Sequence, residues 1–297
     1  MSQQSTRNLV LIEPSFFGYN PETASTNDFQ VDARGGGDAT HTAAIREFRA
    51  LRDMLVEAGV TVTTVQGAKN CPDAVFPTWF STHEDGSAYL YPMLAASRRR
   101  ERSEHLISFL QKFYILKSEA LVAETEGRAL EGTGAMVLDR VNRVAYIGLS
   151  QRCDEKLALE WCAKTRFEPV VFDTVDHAGK PVYNTGMVLW IGTDVCGVGT
   201  GYIVEKDRAR VLASLARNRE VVELDNAQIR NFCGNAVEVR GTDDQPLLVM
   251  SEAAYGLLTS DQLSRINRYI TRILAANLGT IETYGGASAG AMVQGLF

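Results

Sequence analysis

The sequence predicts an α/β protein built from one repeated unit, a β-hairpin followed by a helix and a strand, arranged as a closed ring. Three observations predict this fold. Short segments of one sequence pattern recur about every fifty residues, hairpins rather than single strands separate the helices, and the first strand can complete the last unit. Such a period is typical of repeat architectures. The alternative is an ordinary α/β sheet in which glycine-bearing strands recur by chance, and the regular spacing favours the ring.

The repeated segments combine small residues with a following apolar run that is typical of a strand. Their central residues Gly134, Gly186, Asn235 and Gly290 are separated by 52, 49 and 55 residues. Small residues allow the close backbone approach that a crowded ring centre requires. We therefore expect equivalent strand starts, and the functional site, to converge at this centre. The four segments are Gly132-Thr-Gly-Ala-Met-Val137, Asn184-Thr-Gly-Met-Val188, Cys233-Gly-Asn-Ala-Val237 and Ser288-Ala-Gly-Ala-Met-Val293.

Turn residues and apolar spacing predict the elements between these segments. The stretch Thr78–Met93 turns at Asp85-Gly86, a dipeptide typical of tight hairpins. The last segment lacks a hairpin partner of its own, and the strand Asn8–Ile12 can supply it. The pattern predicts five helices, over 43–58, 100–114, 153–165, 205–217 and 259–276, the last with Leu263, Ile266, Tyr269, Ile270 and Ile273 at helical spacing.

Length and composition favour a single globular domain over residues 1–297, since no low-complexity linker interrupts the 297 residues. A net charge of -6 disfavours nucleic acid as a partner. Five cysteines without clustered metal ligands indicate reduced thiols and neither a metal nor a cofactor. No apolar stretch reaches the roughly 18 residues of a membrane span, and no signal peptide is evident. We expect a cytoplasmic protein that binds a small molecule, with oligomerisation left open.

Six further segments, in order along the whole chain, resemble the guanidino-group-modifying (pentein, or amidinotransferase) superfamily. The likeness is strongest to its arginine deiminase-related, citrulline-hydrolase-like and dimethylarginine-dimethylaminohydrolase-like branches. The resemblance implies a five-bladed α/β propeller, the ring that the repeat predicts independently. The segments are Phe17-Gly-Tyr-Asn-Pro-Glu-Thr23, Pro72-Asp-Ala-Val-Phe76, Ser97-Arg-Arg-Arg-Glu101, Leu130-Glu-Gly-Thr-Gly134, Ile147-Gly-Leu-Ser-Gln-Arg152 and Gly285-Gly-Ala-Ser-Ala-Gly-Ala-Met292.

The resemblance also implies residue roles. In this superfamily a cysteine thiolate attacks the guanidinium carbon, a histidine transfers protons, carboxylates clamp the cation, and arginines bind the substrate carboxylate. A guanidinium is a poor electrophile, so it has to be fixed by carboxylates and attacked by a soft nucleophile with an acid/base partner. The matching binding positions are Asp73 and Glu131 for the clamp, Arg98 and Arg152 for the carboxylate, and Trp79, Gly186 and Ser288 around them.

Three positions depart from the superfamily pattern. Asn184 stands where the pattern has the catalytic histidine, and an amide transfers no protons near neutral pH. Ala291 stands where the pattern has the cysteine nucleophile. The loop Pro77-Thr78-Trp79 is one residue short and lacks the usual polar pair. An alanine alone would also fit an engineered substrate trap, but the three departures together favour natural divergence.

Three hypotheses follow. The first is a divergent pentein that binds an arginine-like amino acid and either uses Asp73 or Glu131 for non-covalent chemistry or performs none. The second is a non-enzymatic interaction scaffold, and the third is a guanidine hydrolase carrying inactivating substitutions. Cys233 and His83 are weak replacements for the thiol and the histidine, since a buried cysteine is usually inert and a lone strand histidine is usually structural.

Overall fold

The computed structural model describes residues 3–31, 37–176 and 178–297, and this part of the chain forms five three-stranded sheets. In each sheet a central strand pairs antiparallel with one neighbour and parallel with the other. This is the predicted hairpin–helix–strand unit, and the α/β propeller class is confirmed. The strands are β1 Asn8–Glu13, β2 Thr61–Gln66, β3 Phe80–Thr82, β4 Ser87–Leu90, β5 Ile115–Lys117, β6 Met136–Asp139, β7 Val144–Leu149, β8 Glu168–Asp173, β9 Leu189–Ile191, β10 Val195–Val198, β11 Glu220–Glu223, β12 Val237–Arg240, β13 Pro246–Ser251, β14 Arg272–Ala276 and β15 Gln294–Gly295.

The two ends of the chain share one sheet. Strand β15 pairs antiparallel with β1, with Leu9 opposite Gly295 and Val10 opposite Gln294, and β2 pairs with β1 on the other side in parallel. The N-terminal strand therefore supplies the hairpin partner that the last repeated segment lacks. The predicted closure of the ring is confirmed.

Helices connect the strands of the ring. Strong N-caps begin several of them, such as Asp154 and Ser103, whose side chains accept hydrogen bonds from backbone amides in the first turn. The α-helices are α1 Pro21–Ala24, α2 Gly37–Glu57, α3 Ala96–Arg99, α4 Glu104–Gln111, α5 Gly132–Ala135, α6 Glu155–Thr165, α7 Glu205–Leu215, α8 Asn226–Arg230, α9 Glu252–Leu257, α10 Ser260–Ile266, α11 Gly279–Gly285 and α12 Ala289–Met292. Short 3-10 helices span Glu119–Glu126, Thr185–Met187, Thr200–Tyr202 and Thr242–Asp244.

The predicted helix over 259–276 is wrong in its second half. The helix ends at Ile266, and Arg272–Ala276 form strand β14, which pairs in parallel with β13. Ile270 and Ile273 fit a helical face as well as a strand, and pairing with β13 decides between the two. The capping box of Thr259 and Gln262 at the start of the helix is present as predicted.

We expected each repeated segment to open its strand directly, but three of the four first form a single helical turn. Gly132–Ala135 and Ala289–Met292 are α-helical turns, and Thr185–Met187 is a 3-10 turn. Gly132 has a φ of +51°, and a Cβ there would lie 2.2 Å from the carbonyl oxygen of Thr78. Only glycine fits this position, so the glycine content of the segment reflects crowding at the centre.

The turns and the strands that follow them surround a central cavity of about 150 Å³. Its wall combines apolar residues such as Met136 and Leu189 with backbone and amide groups from all four repeated segments, and it also includes Arg140 and Glu238. The surrounding core is continuous and largely apolar. Equivalent strands therefore converge on a cavity, as the spacing predicted.

Within the described part of the chain, no helix is long and apolar enough to cross a membrane. The prediction of a single domain over 1–297 is not tested by these features and stays a prediction. His177, predicted to lie in a solvated loop, falls outside the described residues.

Candidate functional site

Five charged side chains form a buried group beside the central cavity, which we call the charged cluster: Asp73, Arg98, Glu101, Glu131 and Arg152. Each is no more than 4% exposed. Arg98 lies in the short helix α3, Glu131 is the N-cap residue of α5, and the other three lie in turns between the elements. The structure therefore brings together the two predicted carboxylates and the two predicted arginines, and adds Glu101.

Asp73 lies in the loop between β2 and β3, whereas we expected it at the start of a strand. Its Oδ2 accepts hydrogen bonds from Asn20 Nδ2 at 2.7 Å and from Thr23 Oγ1 at 3.1 Å. Among the described residues, its Oδ1 has no hydrogen-bond partner although it is buried. Burial raises the pKa of Asp73 against the opposing effects of Arg98, Asn20 and Arg152.

Arg98 and Glu101 form an ion pair across one turn of chain, with Arg98 Nε 2.9 Å from Glu101 Oε1. The N–H does not point at that oxygen, so both Glu101 oxygens lack a directed hydrogen bond within the described structure. Arg98 Nη2 instead donates to the Phe76 carbonyl at 2.6 Å. Burial raises the pKa of Glu101 well above its ordinary value, because the nearby Arg98 offsets only part of the desolvation while Asp73 and Glu131 add repulsion.

Glu131 and Arg152 form the second ion pair, with 3.5 Å between Glu131 Oε2 and Arg152 Nη1. The Arg152 guanidinium lies 4.6 Å above the Tyr183 ring, a cation–π arrangement. It also donates to the Thr26 hydroxyl at 2.7 Å and to the Thr23 carbonyl at 3.0 Å. Residues in and just after α1 therefore fix Arg152 in place.

The charged cluster contains three carboxylates but only two guanidinium groups. A buried charge without a counter-charge is strongly unfavourable, so the surplus has to be neutralised by a proton or by another cation. Burial raises the pKa of both Glu101 and Asp73, which favours a proton on one of them in the absence of such a cation. The cluster is therefore a site with one unmatched negative charge.

The second half of the site is built from small and amide residues at the ring centre, which we call the amide centre: Asn184, Gly186, Asn235, Ser288 and Ala291. Asn235 joins two other repeats, because its Nδ2 donates to the Gly186 carbonyl at 2.6 Å and its Oδ1 accepts from the Ser288 amide at 2.7 Å. Its Oδ1 also lies 3.3 Å from the Ala291 amide nitrogen. One side chain thus fixes three of the repeated segments.

Asn184 and Ala291 both line the central cavity. The Asn184 Oδ1 is buried without a hydrogen-bond partner in the described part of the chain. Ser288 is fully buried and donates from Oγ to Glu282 Oε1 at 2.6 Å, behind the cavity wall. The two substituted positions therefore share a cavity, and neither presents an ionisable group to it.

Trp79 is not brought to this cavity. Its side chain is 1% exposed and packs with Phe80, at 4.9 Å between ring centroids, in an apolar cluster that includes Val10 and Met93. An indole in the shortened loop therefore contributes to the core rather than to the cavity wall.

Tyr183 and Thr78 connect the charged cluster to the central cavity. Both line the cavity, Tyr183 lies beneath Arg152, and Thr78 Oγ1 accepts from Arg98 at 3.3 Å. Tyr183 and Arg152 also line a shallow outer cavity beside Thr26. The cluster thus lies between an opening at the surface and the ring centre.

Cys233 and His83, the weak candidates for a thiol and a histidine at the site, lie elsewhere. All five cysteines are free and buried, and none lines the central cavity. Burial raises the pKa of Cys233 to about 12, and its Sγ contacts the Ala254 carbonyl at 3.3 Å. Burial, with the nearby Arg140, lowers the pKa of His83 to about 3, and its ring packs among Tyr89, Trp161 and Phe167.

Glu101 and Asn235 are the site residues that sequence reasoning missed. Glu101 stands three residues after Arg98, an ion-pair spacing that could have indicated it. Asn235 occupies the centre of its repeated segment, where the other three have glycine, and that exception was the available signal. Within the described residues, no group of histidine, cysteine or carboxylate side chains could hold a metal ion.

Five three-stranded blades around a central cavity, with the chain ends sharing one blade, define the pentein or amidinotransferase superfamily. The chain belongs to the family described as eukaryotic N,N dimethylarginine dimethylhydrolase, whose model matches residues 13–297. The resemblance inferred from the sequence is thereby confirmed. A comparison with curated protein sequences gives no match.

Solved structures with this fold include arginine-related proteins. The N-terminal domain of ArgZ, a cyanobacterial arginine dihydrolase solved with bound substrate, has a TM-score of 0.78 at 14% identity, covering 97% of each chain. A binary complex of AgrE with L-arginine has a TM-score of 0.77 at 15% identity, covering 98% of this chain and 40% of that one. A dimethylarginine dimethylaminohydrolase adduct with S-methyl-L-thiocitrulline has a TM-score of 0.64 at 15% identity over 100% of both chains.

Proposed function

We propose that this protein binds an amino acid with a cationic side chain, of the arginine type, at the charged cluster, and that it performs no covalent thiol chemistry. The observation that supports binding is the surplus carboxylate: three buried acids face two guanidinium groups. A guanidinium or ammonium ligand would neutralise that charge and donate hydrogen bonds to Asp73 Oδ1 and Glu131 Oε2, which accept none within the described residues.

The proton balance supports the same proposal. In the free protein a proton on Glu101 or Asp73 compensates the surplus charge, because burial raises both pKa values. A cationic ligand would favour the ionised carboxylates and release that proton. Binding should therefore strengthen as the pH rises toward the raised pKa values, since deprotonation then no longer has to be driven by the ligand.

The absence of covalent chemistry is inferred from the ring centre. Ala291 has no side-chain nucleophile, and Asn184 accepts and donates hydrogen bonds without transferring protons. The cysteines of the chain have pKa values raised by burial, as in Cys153 and Cys196, where they reach about 12. A thiolate within reach of the clamped cation is the component that this arrangement lacks.

Calorimetric titration tests the proposal. Arginine, ornithine and citrulline are titrated into the wild-type protein and into Asp73→Asn, with Asp261→Asn as a matched control on an exposed face. We expect the cationic amino acids to bind, the neutral citrulline to bind more weakly, and Asp73→Asn alone to lose binding. Titration in two buffers of different ionisation enthalpy measures the released proton. Equal behaviour of all three proteins, or no heat from any ligand, contradicts the proposal.

A specific observation favours one other candidate, the interaction scaffold. Arg98 already pairs with Glu101, and Arg152 pairs with Glu131. The Thr23 carbonyl also accepts a hydrogen bond from Arg152. The cluster therefore cross-links the ring without a ligand. In that case Asp73→Asn would change the stability of the protein but no ligand in the titration series would bind.

We further propose that the protein acts in the cytoplasm and as one domain. The five free, buried thiols support a reducing compartment, where disulfides rarely form. Urea unfolding should show one cooperative transition by both circular dichroism and tryptophan fluorescence, and two separate transitions would contradict the single domain.

A further inference from the structure

A second cavity, which shares Arg140 with the central cavity but includes no residue of the charged cluster, has an unusual charge. It lies between the β3–β4 hairpin, the β6–β7 turn and the end of α6, and its volume is about 550 Å³. We call it the basic cavity. Four cationic side chains but only two carboxylates line it, although the whole chain has a net charge of -6. These side chains are Arg140, Arg143, Lys164, Arg166, Glu84 and Asp85.

The two carboxylates already have other partners. Asp85 Oδ1 accepts from the Ser87 hydroxyl at 2.6 Å and from the Ser87 amide at 2.9 Å, bonds that close the hairpin turn. Those bonds outweigh desolvation and lower the pKa of Asp85. Glu84 Oε1 accepts from the Gln3 amide at 2.7 Å. Within the described residues neither carboxylate forms an ion pair with the arginines, and the cavity has an excess of two positive charges.

Arg140 is the strongest indication of a ligand. It is only 9% exposed, lines the cavity, and forms no ion pair in the described structure. Its Nη1 donates to the Thr82 carbonyl at 3.1 Å, and its guanidinium lies 3.7 Å from the centroid of the Phe297 ring. Burial lowers the pKa of Arg140 to about 10, against smaller opposing effects of Tyr91 and Glu84. A buried guanidinium of this kind is stabilised when an anion reaches it.

Arg143 is fixed in position at the rim of the same cavity. Its guanidinium lies 4.3 Å from the centroid of the Phe167 ring, and its Nη2 donates to the Thr165 carbonyl at the end of α6. That bond also neutralises part of the negative end of the helix, which would otherwise oppose an anion. A restrained guanidinium loses little conformational entropy when it binds a ligand.

We propose that the basic cavity binds a small oxyanion with two negative charges, such as a phosphate or a dicarboxylate. Guanidinium groups donate two parallel hydrogen bonds to either kind of oxyanion, and two or more arginines at one cavity match a dianion. The proposal does not depend on the charged cluster, because the ligand is of opposite charge and meets different residues.

Binding of inorganic phosphate to the intact protein tests this proposal. Titration calorimetry is performed at constant ionic strength, with sodium chloride replacing the ligand, for the wild type and for Arg143→Asn/Arg166→Asn. Asparagine is chosen because both positions have a positive φ, +58° and +60°, which asparagine tolerates. Arg268→Asn, on an exposed face of another blade, is the control for loss of charge. We expect saturable binding by wild type and control, and at least about tenfold weaker binding by the double variant.

Two further measurements decide the outcome. Arg140→Lys retains the charge but not the planar guanidinium, and we expect phosphate to bind it several-fold more weakly while circular dichroism is unchanged. A parallel titration with malonate distinguishes a preference for phosphate from a preference for dicarboxylates. Equal affinity of the wild type and the double variant, or no binding of either anion beyond the chloride control, overturns the proposal.

Discussion

The charged cluster and the amide centre lie side by side and are connected through Tyr183 and Thr78, yet they are built on opposite principles. The charged cluster concentrates five ionisable side chains with one surplus negative charge. The amide centre contains only amides, small residues and backbone groups, and it is stabilised by directed hydrogen bonds around Asn235. This contrast is the basis of the proposal that the site binds a cation without transforming it.

The largest expected effect is the difference in stability between removing a cation and removing a carboxylate from the charged cluster. Arg98→Met removes one of two guanidinium groups and leaves three buried carboxylates with Arg152 alone, so we expect a loss of about 3–5 kcal/mol in the free energy of unfolding at neutral pH. Urea unfolding measures it. The counterpart, Glu101→Gln, removes the surplus charge and should be neutral or stabilising at the same pH.

That pair of variants can contradict the comparison directly. If Arg98→Met and Glu101→Gln destabilise the protein equally, the cluster is an ordinary set of ion pairs without a surplus charge. The charge-based argument for a cationic ligand would then lose its foundation, whatever the titration with amino acids shows.

In the amide centre the expected effects depend on hydrogen bonding instead of charge. Asn235→Ala leaves the Gly186 carbonyl and the Ser288 amide without partners, and we expect a loss of about 2–3 kcal/mol in the free energy of unfolding. Asn184→Ala is the matched control, because its Oδ1 has no partner among the described residues, and it should cost less than about 1 kcal/mol. Similar losses in both variants would mean that Asn235 does not connect the repeats.

The architecture was predictable from the sequence because it depends on local signals. Each of these signals depends on residues close in sequence or on counting the repeated units. They are the fifty-residue period, the Asp85-Gly86 turn and the lone strand Asn8–Ile12. The failure at 259–276 has the same origin, since Ile270 and Ile273 satisfy two local patterns and only pairing with β13 selects the strand.

The site was less predictable, because its organisation depends on contacts between distant segments. Asp73 and Glu131 could be found by resemblance, but their surplus charge depends on Glu101 being buried beside them, and no sequence spacing reports burial. Asn235 bonds to residues 49 and 53 positions away. Trp79 was assigned to the binding site from its place in the chain, and its side chain turns into the core instead.

A pH series sharpens the comparison further. The native pKa of Glu101 is raised above its unfolded value, so between those two values the native state binds more protons and stability falls as the pH rises. Glu101→Gln should remove this part of the decline. We expect the free-energy difference between variant and wild type to shift by about 1–2 kcal/mol in favour of the variant between pH 5 and pH 8.

Protonation of His83 changes the stability of the protein in the opposite direction, at lower pH. For this reason the difference between Glu101→Gln and the wild type is more informative than the pH profile of one protein. The native pKa of His83, about 3, lies below its unfolded value, so His83 destabilises the protein as the pH falls below about 6.5. The effect is present in both proteins and cancels. A variant-to-wild-type difference that does not change with pH would place the surplus proton somewhere other than Glu101.

The smallest effect on stability, and the most specific chemical one, is expected at Ala291. Its Cβ lines the central cavity, so Ala291→Cys adds a single sulfur to open space and should change the free energy of unfolding by less than about 0.5 kcal/mol. The native cysteines are buried with raised pKa values and should resist iodoacetamide in the folded protein, whereas the new thiol should be alkylated once, as mass spectrometry would show. Adding Asn184→His supplies a base beside it and should accelerate that alkylation and raise its rate at lower pH. If the new thiol reacts no faster than the buried ones, or the histidine has no effect, then the two positions do not face a common space. The amide centre would then have a structural role, and it would not correspond to the catalytic part of a site.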